Sequence, residues 1–266
     1  MDGWVSEEGL RWRALAPFGV KIDCDLSAPH TPARTARLAA LLADHGYVLA
    51  RGQTLTMQQQ TALMTPIGPI VLRPQENGYI STDVGAASSR AELSFHADAA
   101  YTDAPFAALS LHAVDVVDEA SGTRFVSAEH GYDTLPAKLR ARLDAVSAEM
   151  ISPTLEGVGV RASEAPDPPA TQRAELPAVR INPRTGRRCI GVSEMHTARL
   201  TGMAWAQSRA LLAEIYDHLY APENAVEHLW RRGDIVIWDN LTLQHARGSL
   251  AGAGRRVLQR VVAGAA

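Results

Sequence analysis

Short apolar runs that alternate with polar residues, each closed by turn-forming residues, narrow the choice of fold more than any other feature of this chain. Residues 109–116 (LSLHAVDV) and 123–128 (TRFVSA) read as strands separated by the turn stretch DEASG, which suits an antiparallel β arrangement. Residues 178–181 and 187–192 flank Asn-Pro-Arg-Thr-Gly at 182–186 like the arms of a hairpin, and the chain closes on two further runs, 234–239 and 255–262. Strands are also expected at 18–23 and 47–51.

Helical spacing is the minority pattern. Thr31-Pro32 opens a helix that Gly46 stops, residues 56–64 predict a second, and Leu211, Leu212, Ile215 and Leu219 mark a third over 204–219. Residues 152–177 hold five prolines and little periodicity, which predicts a long loop inside the domain or a linker, and a loop there would serve as a lid over a substrate or as an insert. Together these signals predict one domain over residues 1–266, mainly β with flanking helices: a jelly-roll whose two sheets are braced by helices.

Composition serves mainly to exclude. A net charge of −3 gives no argument for nucleic acid or an anionic membrane as partner, and local clusters must carry any such claim; the expected partner is a small-molecule substrate. Cys24 and Cys189 are the only cysteines, too few for a disulfide framework or a thiolate metal site, and this favours a reducing compartment. No stretch reaches the roughly 18 apolar residues of a spanning helix and the first residues lack a signal-like apolar core, so a cytoplasmic protein is expected.

Three groups of residues could carry chemistry. His96 and Asp98, two apart on extended backbone, project to one face and could grip one metal ion; a surface hydrogen-bonded pair is an equal reading. His245 follows the apolar run 234–239 where the chain must turn, a place where a histidine is often structural. Arg256 and Arg260, four apart on an expected strand, share a face with Leu258 and would need anions if that face is buried. Two histidines and a carboxylate leave three adjacent positions open on an octahedral metal, the arrangement of non-haem Fe(II) oxygenases. A 2-oxo acid and dioxygen can fill those positions, and Arg256 is the cation for the distal carboxylate of 2-oxoglutarate.

These motifs make the chain recognisable. Phe95-His96-Ala97-Asp98, Gly122-Thr123-Arg124-Phe125 with Tyr132 and Leu135 downstream, and Trp238-Asp239-Asn240 leading to Gln244-His245, Arg255-Arg256 and Arg260 occur in the order and spacing of one family. The chain resembles the taurine dioxygenase/2,4-dichlorophenoxyacetate dioxygenase (TauD/TfdA) family of Fe(II)- and 2-oxoglutarate-dependent oxygenases from GVKIDCDL near its start to RRVLQR near its end. The resemblance implies a double-stranded β-helix, iron held by His96, Asp98 and His245, and 2-oxoglutarate held by Thr123 and Arg256. It further implies Arg260 as a contact to the anionic group of the prime substrate, and a homo-oligomer.

The departures bear on substrate rather than on chemistry. Ala97 replaces a common threonine and Ser121 the first glycine of a usual pair, and neither removes a group the reaction needs. Val71 and Arg73 stand where taurine-hydroxylating members carry histidines, which argues against taurine; Asp98 argues against halogenation. The expected product is a hydroxylated small anionic or amino-acid-like molecule, with desaturation or ring closure open to the same site. A zinc hydrolase on the same ligands, or a metal- and 2-oxoglutarate-binding sensor without turnover, are the rivals. His112, His130, His196, His218 and His228 read as structural or exposed.

Overall fold

Thr31 caps the first helix as its side-chain oxygen accepts a hydrogen bond from Arg34 N at 3.2 Å, and Pro32 occupies a position where no amide hydrogen is needed. At the other end Gly46 takes a left-handed conformation, φ +71°, and its N–H returns to Leu42 O. In this computed structural model, which describes residues 3–72, 77–82, 90–154 and 159–265, helix α1 (Pro32–His45) buries Leu38, Leu41 and Leu42 from one stripe. Thr56 and Gln59 form a reciprocal capping box that starts α2 (Met57–Met64).

The strands before and around these helices are β1 (Val5–Glu7), β2 (Leu10–Ala14), β3 (Val20–Ile22), β4 (Tyr47–Ala50), β5 (Gly78–Ser81), β6 (Leu93–His96), β7 (Phe106–Val116) and β8 (Gly122–Ser127). Helices α3 (Ala128–Thr134) and α4 (Ala137–Asp144) follow, then β9 (Ser147–Pro153), β10 (Ala170–Pro177), β11 (Val179–Ile181), β12 (Arg188–Ile190) and β13 (Thr197–Leu200). After α5 (Trp205–Leu219) come β14 (Ala225–Leu229), β15 (Ile235–Asp239), β16 (Leu243–Arg247) and β17 (Arg256–Gly264).

Two sheets form the body: a large one in the order β1-β2-β3-β4-β15-β7-β17-β5 and a small one in the order β14-β8-β16-β6. Successive strands cross between them, β5 large, β6 small, β7 large, β8 small, and again β14 small, β15 large, β16 small, β17 large. This winding is the double-stranded β-helix, or jelly-roll, expected from the sequence. The turn stretch between β7 and β8 therefore does not close a hairpin; it carries the chain over to the opposite sheet.

β15 shows why the closing apolar runs are continuous. Ile235 and Ile237 pack outward with the helix residues Leu38, Leu41 and Met64, whereas Val236 and Trp238 point inward among Tyr47, Phe125, Trp230 and Leu258. A strand covered on both faces has no polar side to alternate with. On the outer face of the small sheet, Val126 and Ala246 pack with Leu211, Ile215 and Tyr216 of α5.

The proline-rich stretch departs from expectation. Residues 170–177, expected as loop, are strand β10, which pairs antiparallel with β9 and holds Leu176 against Ala148. A main-chain ladder satisfies this segment even though its sequence carries no clear alternation. Residues 155–158 of the same stretch, and Arg73, lie outside the described residues. The hairpin around 182–186 is present as β11 and β12. No described helix is long and apolar enough to cross a membrane.

Candidate metal and co-substrate site

His96 ends β6, and His245 sits directly opposite it in the register of β16, so the ladder between these strands brings the imidazoles together with ring centroids 4.2 Å apart. His245 is thus a mid-strand residue, not a turn residue as its sequence context suggested; the turn lies at 240–242. The chain leaves β6 through a turn in which Ala99 adopts φ +58°, and Asp98 swings its carboxylate back to both rings. Its Oδ1 lies 3.2 Å from His96 Nε2 and 3.8 Å from His245 Nε2.

The three donor atoms all fall within 4.8 Å of one another, as a single ion requires. His96 Nδ1 lies 2.8 Å from the Ser94 carbonyl, which can only accept, so this nitrogen carries the proton and Nε2 offers its lone pair to the shared centre. Asn240 clips the turn, and Arg260 Nη2 donates to Asp98 Oδ2 at 2.7 Å. Burial opposes the charge of Asp98, but Arg260 and the two histidines outweigh it and hold the carboxyl well below its usual range. Burial, reinforced by the neighbouring His96, pushes His245 down to about 3, which keeps it a neutral ligand.

The second part of the site lies in the same interior, Thr123 on the small sheet with His245 and Arg256 on β17 of the large sheet. His245 pairs with Phe125 across β16 and β8, and Thr123 follows one pleat along β8 from Phe125. Thr123 is buried, and its hydroxyl oxygen accepts from Trp230 Nε1 at 3.0 Å. Arg256 is only 4% exposed; its guanidinium carbon lies 6.0 Å from the centre of the Trp230 ring, and its Nε has no hydrogen-bond partner among the described residues. Burial, with Arg247 nearby, brings Arg256 down to about 9. A buried guanidinium with an unfilled donor, which shares Trp230 as a neighbour with a threonine hydroxyl, fits a carboxylate, and the donor set above fits iron.

The structure brings five of the six expected site residues into this interior, His96, Asp98, His245, Thr123 and Arg256, and joins the sixth, Arg260, to Asp98. It adds one that sequence reasoning set aside. His196 is buried with its ring 5.7 Å from that of His96 and 5.1 Å from that of Tyr101, and its Nδ1 donates to Ile151 O at 2.9 Å. Met195 N bonds to Phe95 O, which lays this turn against β6. No local signal in the sequence reports such a pairing of segments a hundred residues apart.

Comparison with known proteins gives the family and the fold. The model of the "Taurine catabolism dioxygenase TauD, TfdA family" matches residues 11–262. An alpha-ketoglutarate-dependent sulfate ester dioxygenase of Pseudomonas putida is 28% identical over 91% of this chain and 83% of its own. An alpha-ketoglutarate-dependent 2,4-dichlorophenoxyacetate dioxygenase of Cupriavidus pinatubonensis is 28% identical over 90% of this chain and 91% of its own. Among solved structures, a taurine dioxygenase from Burkholderia xenovorans superposes with a TM-score of 0.80 at 24% identity, covering 97% of this chain and 91% of that one, a likeness of fold.

Proposed function

The chain belongs to the TauD, TfdA family and is a 2-oxoglutarate-dependent dioxygenase, and from that premise we propose that it uses Fe(II), held by His96, Asp98 and His245, to oxidise a small anionic or amino-acid-like substrate. One observation carries the reading. The interior that gathers a two-histidine, one-carboxylate donor set on the small sheet also holds the buried Thr123 of that sheet and, from β17 of the large sheet, a buried arginine whose Nε has no partner among the described residues. A metal-binding site alone has no use for Arg256, whose desolvation is offset only when a carboxylate arrives.

Each residue has a separate task in this scheme. His96, its tautomer set by Ser94, and His245, kept neutral by burial, would offer lone pairs, while Asp98 would bring the negative charge. Thr123 and Arg256 would bind the distal carboxylate of 2-oxoglutarate and so set the direction from which its keto-acid end approaches the metal. Iron with its co-substrate would supply dioxygen activation and the oxidative decarboxylation of 2-oxoglutarate to succinate and carbon dioxide. Arg260, beside Asp98, would supply positive charge toward the anionic group of the substrate, with His196 and Tyr101 forming a wall of the space. Hydroxylation is the proposed outcome, and desaturation or cyclisation would use the same residues.

Anaerobic titration of the metal-free protein with Fe(II) and 2-oxoglutarate tests this. The expected result is the weak visible charge-transfer band of a chelated 2-oxo acid, lost in His245→Ala and in Arg256→Ala at the same co-substrate concentration. A folded protein that binds Fe(II) and gives no band would overturn it.

A further inference from the structure

Trp230 sits where both co-substrate residues meet. Its side chain is fully buried, its indole N–H donates to Thr123 Oγ1 at 3.0 Å, and its ring lies 6.0 Å from the guanidinium carbon of Arg256. The residue is itself fixed from behind. Its backbone N–H donates to Ser121 O, its carbonyl accepts from Glu119 N, and the imidazole of His228 meets its ring edge-on at 4.5 Å.

These contacts have a chemical consequence. A threonine hydroxyl has one proton and two lone pairs, and when an indole N–H occupies a lone pair the proton remains for another acceptor. Threonine also rotates between staggered positions that exchange its methyl and hydroxyl, so a donor at 3.0 Å selects the rotamer whose oxygen faces the interior. The same indole offers its π-face to Arg256, a cation that has lost its water and has no described anion.

We propose that Trp230 is a positioning residue for the co-substrate: its N–H orients the Thr123 hydroxyl to donate to the distal carboxylate of 2-oxoglutarate, and its ring seats the Arg256 guanidinium against the same carboxylate. The inference rests on the 2-oxoglutarate reading given above and goes beyond it in assigning a residue that need not touch the co-substrate.

Trp230→Phe keeps a ring against Arg256 and deletes the donor. The probes are 2-oxoglutarate and pyruvate, titrated anaerobically into Fe(II)-loaded protein, because both chelate through a 2-oxo acid and only the first has a distal carboxylate. The variant is expected to bind 2-oxoglutarate about five- to tenfold more weakly, the loss of one hydrogen bond, with pyruvate unchanged. In a Thr123→Val background the tryptophan substitution should add almost nothing, since its route is already cut. Unchanged 2-oxoglutarate affinity, equal weakening of both acids, or additive effects in the double variant would each overturn the inference. Absence of any charge-transfer band in the wild-type protein would instead remove the reading on which it rests.

If Trp230→Phe does not fold, the wild-type protein with Zn(II) still decides the matter by its indole N–H resonances. The resonance most perturbed by Thr123→Val should shift on adding 2-oxoglutarate and stay in place on adding pyruvate; a shift with both or with neither counts against the proposal.

Discussion

The side chain of Asn240 grips the backbone of Asp98 from both directions: Oδ1 accepts from Asp98 N at 2.9 Å and Nδ2 donates to Asp98 O at 2.9 Å. The same Nδ2 also reaches Phe106 O at 3.1 Å, so one amide ties the metal-side turn to the start of β7. A turn that must place one carboxylate oxygen near two imidazoles at once has little tolerance for rotation.

Asn240→Ala is therefore expected to lower divalent-metal affinity by about 10- to 100-fold while leaving the far-ultraviolet circular dichroism unchanged. Calorimetric titration with Mn(II) or Co(II) measures this directly. Wild-type affinity in the variant would mean that the β6–β16 pairing alone positions Asp98.

Arg256 gives a prediction of opposite sign for stability and binding. Its buried guanidinium has an Nε donor without a partner among the described residues, so replacing it with an apolar side chain of similar length removes a desolvated charge. Arg256→Met should melt at the wild-type temperature or above it, yet bind 2-oxoglutarate at least about 100-fold more weakly, the usual scale for truncating one partner of a buried charge pair. A thermal melt with and without 2-oxoglutarate reads both effects, because co-substrate stabilises only the protein that binds it. A variant that unfolds at a much lower temperature would show that Arg256 serves the fold.

How far the sequence could lead depended on whether the information was local. The caps at Thr31, Gly46 and Thr56 and the leucine spacing of α5 specify helices from neighbouring residues, and those helices are where they were expected. β7 and β8 were legible as strands, but their separation into opposite sheets was not, since the choice of partner is made by burial across the barrel. β14 and β16 went unread because in the small sheet residues such as His228, Gln244 and His245 interrupt the apolar pattern. The motif residues were legible through their order along the chain. His196 and Trp230 were not: each reaches the site through a contact with a residue about a hundred positions away.

Arg260 is joined to a metal ligand, and this predicts a divided phenotype. Its Nη2 donates to Asp98 Oδ2 at 2.7 Å on the side away from the histidines. Arg260→Ala leaves that oxygen without its cation, so metal affinity should fall by roughly tenfold, the scale of one charge-assisted hydrogen bond. Arg260→Lys should restore most of the metal affinity through charge alone, and restore less of the turnover with an anionic substrate, because an ammonium cannot hold two carboxylates in a planar fork. Metal titration beside succinate release separates the two; equal recovery of both would confine Arg260 to the support of Asp98.

The last prediction concerns acid stability and rests on three buried histidines outside the metal donor set, of which His196 adjoins His96. His112 is buried, donates through Nε2 to Gln53 O at 3.2 Å and leaves Nδ1 without a partner among the described residues; burial lowers its pKa. His228 is lowered for the same reason, although Asp234, 3.2 Å from its Nε2, opposes the shift. His196 acts in the same direction, brought down to about 3 by burial and by His96. In the unfolded chain all three titrate near the ordinary value of 6.5, so below that pH the unfolded state binds protons that the folded state refuses. Stability from these groups is complete above pH 6.5 and is lost as the pH falls below it. The slope is about 1.4 kcal/mol per pH unit for each histidine that stays neutral. Urea unfolding of the metal-free protein at pH 6.5, 5.5 and 4.5 should show a decline over this range, and His228→Gln should make it shallower. A flat profile would show that the interior accepts these protons while folded.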